Sequence, residues 1–206
     1  MRSQVEGAVQ AMTYKFFRGI FRLIFRLFFK VEVIGRDQIP FETGGIIFCS
    51  NHISNWDPFF VGSQVEPMLR YMAKEELFKI PLFGKLLPKL GAYPVKRGAV
   101  SKETIVNSIR IIRGGGHIVI FPEGTRGGGS AKRGAAILAL KSKAIVVPVA
   151  IISSYKLFAP LRVVYGAPLD LTTFNTENSD EGQRAADAIM SSIEQLKQNY
   201  LLQSAL

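Results

Sequence analysis

Cysteine is almost absent from this sequence. Cys49 is the only one in 206 residues, which leaves no disulfide framework and no cysteine-based metal site, and fits a reducing compartment. Histidine is nearly as scarce: His52 and His117 stand far apart, and a zinc site built on them would need carboxylates to complete it. Long apolar runs are missing near the start. Between Thr13 and Lys30 the longest has three residues, whereas a membrane span takes about 20 predominantly apolar residues. No small-residue cleavage pattern follows a clean apolar block, so neither a spanning helix nor a signal peptide is expected. Nucleotide signatures are missing too. Gly127, Gly129 and Gly134 miss the G-x-G-x-x-G register because Lys132 sits where the third glycine belongs, and no Walker lysine pattern is present. Acidic residues are in deficit, 16 against 26 lysines and arginines, for a formal charge of +10. Such a balance calls for an anionic partner: nucleic acid, a membrane surface or a phosphorylated substrate. No nucleic-acid module or aromatic–basic strand face is recognisable, so nucleic acid is not expected as a partner.

What is present suits one domain with a sizeable core: the length is ordinary for a domain and 48% of the residues are apolar. Residues 13–30 read TYKFFRGIFRLIFRLFFK. On a helix, Arg18, Arg22, Arg26 and Lys30 form one slowly drifting stripe, and Phe17, Phe21, Phe25, Phe28 and their apolar neighbours fill most of the remaining circumference. A basic stripe opposite a wide aromatic face describes a helix lying in a membrane interface, preferably an anionic one, at about 1 kcal/mol per basic group. The alternative is an amphipathic helix packed on the core of its own domain. The resulting division is 1–30, an amphipathic interfacial helix, and 31–206, the remaining domain.

After this helix the pattern changes to short apolar runs separated by Gly and Pro. Strands are expected at Val31–Ile34, Gly45–Cys49, Leu69–Ala73, Gly91–Val95, His117–Phe121, Ile145–Ile151 and Leu161–Tyr165. Several are continuously apolar, as strands covered on both faces are. Helices are expected at Phe59–Val65, Phe83–Lys89, Lys102–Arg113 and Gly134–Lys141, with a short turn at Lys74–Phe78. Ala185, Ile189, Ile193, Leu196 and Tyr200 step as a C-terminal packing helix does. The alternation implies an α/β fold, a mixed and largely parallel sheet flanked by helices. Pro148 inside an otherwise regular strand predicts an edge or a bulge there.

The segment Cys49-Ser50-Asn51-His52-Ile53-Ser54-Asn55-Trp56-Asp57-Pro58 follows a buried strand. Asp57 before Pro58 reads as a helix start, with Asp at the N-cap and Pro at the first helical position. His52 then lies in a strand-to-helix loop, where α/β folds place ligands. In one regular helix a five-residue step would turn the two side chains about 140° apart, so the loop must bend for them to meet. If they meet, Asp57 orients one ring nitrogen of His52 and leaves the other as a base, with a substrate hydroxyl in place of an enzyme nucleophile. The alternative is a loop histidine beside an independent capping aspartate.

Asn51-His52-x-Ser54-x-x-Asp57 resembles the signature of the glycerolphosphate and lysophosphatidate acyltransferase family. Further blocks follow in family order: Ala73–Gly84; Gly91-Ala92-Tyr93-Pro94-Val95-Lys96-Arg97; Phe121-Pro122-Glu123-Gly124-Thr125-Arg126; and Val147-Pro148-Val149-Ala150-Ile151. The resemblance covers residues 31–170 or so. Two places depart from the pattern: glycines follow Arg126 where serine is common, and Lys96 stands where an acidic residue is common. The resemblance implies that His52 and Asp57 are catalytic. It further implies transfer of a fatty acyl group from acyl-CoA or acyl carrier protein to the sn-2 hydroxyl of a lysophosphatidate acceptor, at the cytoplasmic face of a membrane, by a peripheral or monotopic enzyme. No metal and no cofactor are expected.

The third block also reads as an anion site without that resemblance. A strand delivers Glu123, Gly124, Thr125 and Arg126 into a glycine-rich loop that opens the next helix, and arginine offers paired donors to phosphate oxygens. Arg126 and Arg97 are assigned to the acceptor phosphate, Glu123 to its glycerol oxygens or to positioning Arg126, and Lys96 to a weaker supporting role. A surface salt bridge between Arg126 and Glu123 is the plainer alternative. Cys49 and His117 are read as structural, the first because a thiol within an apolar strand loses reactivity. A catalytically silent lipid-binding or membrane-docking protein of the same fold is the rival reading; the intact set of His52, Asp57, Glu123 and Arg126 argues against it.

Overall fold

The computed structural model describes residues 2–95, 102–123, 133–174 and 179–204. Its strands are β1 Lys30–Ile34, β2 Ile46–Ser50, β3 Leu69–Lys74, β4 Ala92–Val95, β5 His117–Ile120, β6 Ile145–Ser153 and β7 Pro160–Tyr165. They form one seven-stranded sheet in the order β1-β7-β6-β2-β5-β3-β4. The strands from β6 to β4 are mutually parallel. β7 runs antiparallel to β6 and parallel to β1, which makes the sheet mixed but largely parallel. The consequence is that β2, β3, β4, β5 and β6 all present their C-terminal ends at one edge.

Helices α1 Arg2–Phe28, α2 Asp57–Gln64, α3 Phe83–Leu86, α4 Lys102–Arg113, α5 Gly134–Ser142 and α6 Ser179–Gln203 complete the layers. β2, read IIFCS, is buried along its whole length because both faces are covered. Ile46 and Phe48 point into a core shared with Phe25 of α1 and Phe60 of α2. Ile47 and Cys49 face Ile112 of α4, Leu138 of α5 and Ile189 of α6. The alternation of the pleat thus feeds two cores from one strand.

One expectation changes and another is narrowed. The helix expected over Phe83–Lys89 is the short α3 followed by a 3₁₀ turn at Leu87–Leu90. Pro88 cannot donate to an α-helical ladder, and Gly91, at φ 96, ends the turn where a Cβ would stand 2.4 Å from the Leu69 carbonyl oxygen. Pro148 lies in β6, an interior strand between β2 and β7 rather than an edge, but the expected bulge is present: the register passes from Val149↔Tyr165 to Val146↔Leu169, with one extra residue on the strand opposite Pro148. Its carbonyl accepts from Gly166 N at 2.9 Å, just past the end of β7. The N–H that proline lacks would point the same way, into the bulge between Gly166 and Leu169 where the regular ladder is interrupted, so the interior position is tolerated.

The N-terminal helix is oriented differently from its reading in the sequence. Arg18 donates to the Val65 and Glu66 carbonyls and to the Glu66 carboxylate, and Arg22 donates to the Ser63 carbonyl and to Glu66. Phe25 is 2% exposed, with its ring edge-on to Phe60 at 5.1 Å, and Phe21 stacks on Phe59 at 4.8 Å. Phe21 and Phe25 of α1 therefore join the main core. Phe17 is half-buried, while Arg26 and Phe28 are exposed. The face turned outward carries Val9, Met12, Phe16, Ile20, Leu23 and Leu27, which recur at three- and four-residue steps as one apolar stripe. The carboxylate and backbone carbonyls at the end of α2 supplied partners for the basic stripe that no local pattern reveals. No described helix is long and apolar enough to cross a membrane.

Candidate active site

At Ser50 the β2 backbone leaves the sheet, and the side chain of Asn51 takes over its role. Asn51 Nδ2 donates to the Ile151 carbonyl at 2.9 Å, and Asn51 Oδ1 accepts from Ile151 N at 2.7 Å. The loop then folds back on itself: Trp56 N donates to Ser54 Oγ at 3.2 Å and Asp57 N to the Ser54 carbonyl at 3.1 Å. This bend answers the geometric problem of a five-residue step. His52 Nδ1 lies 2.7 Å from Asp57 Oδ2.

Asp57 is the first residue of α2 rather than its N-cap, and its side chain turns back toward the loop instead of capping the helix. Oδ2 accepts Ile53 N and Ser54 N, each at 2.7 Å, as well as His52. Oδ1 accepts the Tyr155 hydroxyl at 2.6 Å. The carboxylate is wholly buried, and four donors compensate its lost hydration. Bound through Nδ1, His52 presents Nε2 on its other side, the arrangement a general base requires. Its ring stacks on Phe121 at 4.2 Å between centroids, and the side chain stays 17% exposed, so a substrate can reach it.

Phe121, Pro122 and Glu123 leave β5, which pairs with β2 up to Cys49 and Ile120. Lys74 ends β3 and Val95 ends β4 at the same edge. The topology therefore brings Lys74, Val95 and the start of the Phe121–Arg126 block to the edge that holds His52. Lys96, Arg97, Gly124, Thr125, Arg126 and Lys132 lie outside the described residues. Among the described residues no three His, Cys, Asp or Glu side chains gather as a metal site requires.

Cys49 and His117 are core residues. Burial pushes the Cys49 thiol up to about 12, which leaves almost no thiolate near neutrality. His117 Nδ1 accepts from Ile46 N at 3.3 Å, its ring sits against Phe41 and Phe48, and burial lowers its pKa. Three contributors escape the sequence reading: Asn51 as a strap, Phe121 as a ring platform and Tyr155 as a donor to Asp57. Asn51 and Phe121 stand inside the quoted blocks, but Tyr155 lies four residues past the last one, and no spacing connects it to Asp57.

A family model described as Acyltransferase matches residues 30–152, which spans His52, Asp57, Phe121 and β6 up to Ile152. The 1-acyl-sn-glycerol-3-phosphate acyltransferase of Bacillus subtilis is 32% identical over 170 residues, covering 78% of this chain and 84% of that one. The protein of the same name from Streptococcus pneumoniae is 25% identical over 203 residues, with 95% and 76% covered. Among solved structures, the 1-acyl-sn-glycerophosphate acyltransferase PlsC of Thermotoga maritima superposes with a TM-score of 0.70 at 26% identity, over 96% of this chain and 83% of that one. With the family match covering more than half of the chain and the His52–Asp57 pair in place within it, this protein belongs to the acyltransferase family.

Proposed function

We propose that this protein transfers a fatty acyl group from an acyl thioester, acyl-CoA or acyl carrier protein, to the free sn-2 hydroxyl of 1-acyl-sn-glycerol 3-phosphate, giving phosphatidate. The observation that carries the reading is the 2.7 Å contact between His52 Nδ1 and buried Asp57, at the sheet edge shared with the third block. His52 Nε2 takes the proton of the acceptor hydroxyl as its oxygen attacks the thioester carbonyl. The C–S bond then breaks, and the departing thiolate receives that proton. Asp57 holds the imidazole in one tautomer and offsets the positive charge that develops on it. No metal or cofactor takes part in this scheme.

Arg126 and Arg97 bind the acceptor phosphate, with Glu123, Gly124, Thr125 and Lys96 beside them. The exposed stripe of α1 enters the membrane interface at the cytoplasmic face. On its flank Arg26 and Arg36, together with Asp37 and the Glu66-paired Arg22, line a groove of about 330 Å³ that offers cations to anionic headgroups.

The test is product analysis by mass spectrometry, with lysophosphatidate, other lysolipids and glycerol 3-phosphate offered against both thioester donors. His52→Ala is expected to lose at least about 10²-fold in turnover with an unchanged thermal transition. Wild-type turnover in that variant overturns the mechanism. Arg126→Ala is expected to raise KM for the phosphorylated acceptor and leave KM for the thioester unchanged; the reverse result reassigns that loop to the donor.

A further inference from the structure

We propose that Tyr155 is a positioning residue of the acyl transfer, its hydroxyl holding the Asp57 carboxylate with Oδ2 aimed at His52 and keeping the shared proton on the imidazole. The proposal rests on the reading of His52 as the base. Three of the four donors to Asp57 come from its own loop and crowd onto Oδ2, while Tyr155 alone occupies Oδ1 among the described residues. An unoccupied Oδ1 on a wholly buried carboxylate would be costly, and it would also make the carboxylate more basic. When Nε2 accepts the acceptor proton, a more basic Asp57 competes for the proton on Nδ1. The Tyr155 hydrogen bond tempers that competition and blocks rotation of the carboxylate about its own axis. Tyr155 itself loses no proton: burial first, and then the charge of Asp57, push its phenol above the ordinary tyrosine range, so it remains a donor throughout turnover.

The backbone supports this assignment. Tyr155 sits at φ 49, in the left-handed region that bulky L residues rarely enter. Glycine would adopt that conformation freely, but glycine has no hydroxyl to offer. The turn is held by Tyr155 N donating to Ser153 Oγ at 2.8 Å and by the edge of Phe29 on the Tyr155 ring at 5.9 Å. Farther along the same β6–β7 loop, Phe158 N donates to the Phe28 carbonyl at 2.7 Å and Lys30 N donates to the Ala159 carbonyl at 3.1 Å. A strained residue over-determined by its surroundings, with its one polar atom on the base's orienter, points to a role in the site rather than in packing.

Tyr155→Phe keeps the ring on Phe29 and removes only the donor. It is expected to lower kcat by about tenfold, the scale of one charge-assisted hydrogen bond, with KM for both substrates within about twofold of wild type. The acid limb of the pH–rate profile is expected to move upward, because the carboxylate then concentrates its charge on the His52 ring and favours the imidazolium. Replacing Tyr155 by 3-fluorotyrosine, a stronger donor, is expected to move that limb the other way. A merely structural tyrosine does not order the acid limb by donor strength. NMR titration of the His52 ring in the same proteins reads the effect without turnover, with His117 as an internal control. An unmoved acid limb and an unmoved His52 titration overturn the proposal even if kcat falls, and so does a selective rise in acceptor KM. Wild-type turnover in His52→Ala overturns instead the reading beneath it, and the His52 titration in the tyrosine variants still tells the two failures apart.

Discussion

Asn51 and Ile151, 100 residues apart, share one closed ring of two hydrogen bonds, at 2.7 and 2.9 Å, between a side-chain amide and a backbone amide. The ring continues the β2–β6 ladder by one step after the β2 backbone has turned away toward His52. Asn51→Ala leaves the Ile151 N–H and carbonyl without these partners, and a loss of about 1–3 kcal/mol is expected. The measurement is the urea midpoint. Turnover is expected to fall as well, because the loop carrying His52 loses its strap. Asn51→Asp is not expected to rescue, since it sets a carboxylate oxygen against the Ile151 carbonyl. An unchanged midpoint for Asn51→Ala contradicts the strap.

Cys49 tests the direct-transfer mechanism. Its thiol is buried and pushed up to about 12, so it cannot serve as the acyl carrier between donor and acceptor. Cys49→Ala is expected to keep turnover within about twofold of wild type and to lose on the order of 1 kcal/mol of stability. Thiol reagents are expected to label the native protein slowly and the urea-unfolded protein fast. A folded Cys49→Ala variant without activity points to an acyl-enzyme instead.

The two faces of α1 are expected to answer to different measurements. Phe25→Ala hollows the main core beside Phe60 and Trp56, at a cost of about 3–5 kcal/mol. Phe16, Leu23 and Leu27 are exposed, so changing all three to Ser is expected to leave the thermal transition nearly in place. The triple variant is instead expected to lose binding to vesicles, neutral and anionic alike, because apolar burial does not depend on headgroup charge. Arg26→Glu is expected to weaken binding to anionic vesicles only, and high salt should reproduce part of that loss. Vesicle binding that survives the triple change removes the interfacial role from this face.

His117 carries a pH dependence of stability. Burial holds its folded pKa below the ordinary value, while the unfolded chain titrates near that value. Between the two, the unfolded state binds more protons, so stability rises with pH and falls as the pH drops through the ordinary histidine range. Protonation of Nδ1 also removes the acceptor used by Ile46 N. The unfolding free energy is expected to decline from pH 7 toward pH 5. His117→Gln, which retains an acceptor and does not titrate, is expected to have a shallower slope over that interval. Equal slopes assign the acid sensitivity to other groups.

The strands were legible because their runs are short, continuously apolar and bounded by Gly and Pro. All seven fall within two residues of where the runs place them. Apolar spacing over 83–89 suggests a longer helix than forms, because that spacing hides the cost of Pro88. The site was legible in part. His52 and Asp57 stand out because few reactive residues occupy this chain, and the blocks around them recur in order. Arg97 and Arg126 stand out in those blocks just as clearly, and they lie outside the described residues.

Local chemistry alone determined the alternation of strands and helices, the two-sided burial of β2, the position of His52 just past the end of that strand and the burial of Cys49. Each of these follows from neighbours within a few residues along the chain. Tertiary structure alone decided that Arg18 and Arg22 face Glu66 rather than the outside, that Asp57 bonds backward to its loop instead of capping α2, and that Tyr155 reaches it from the β6–β7 loop. A charged or hydrogen-bonding side chain settles on whichever partners compensate its desolvation best. For Arg18, Arg22 and Tyr155 those partners lie tens of residues away, while for Asp57 they lie three to five residues back, on a loop whose bend is held by the Asn51 contact with Ile151 and by the Tyr155 hydroxyl.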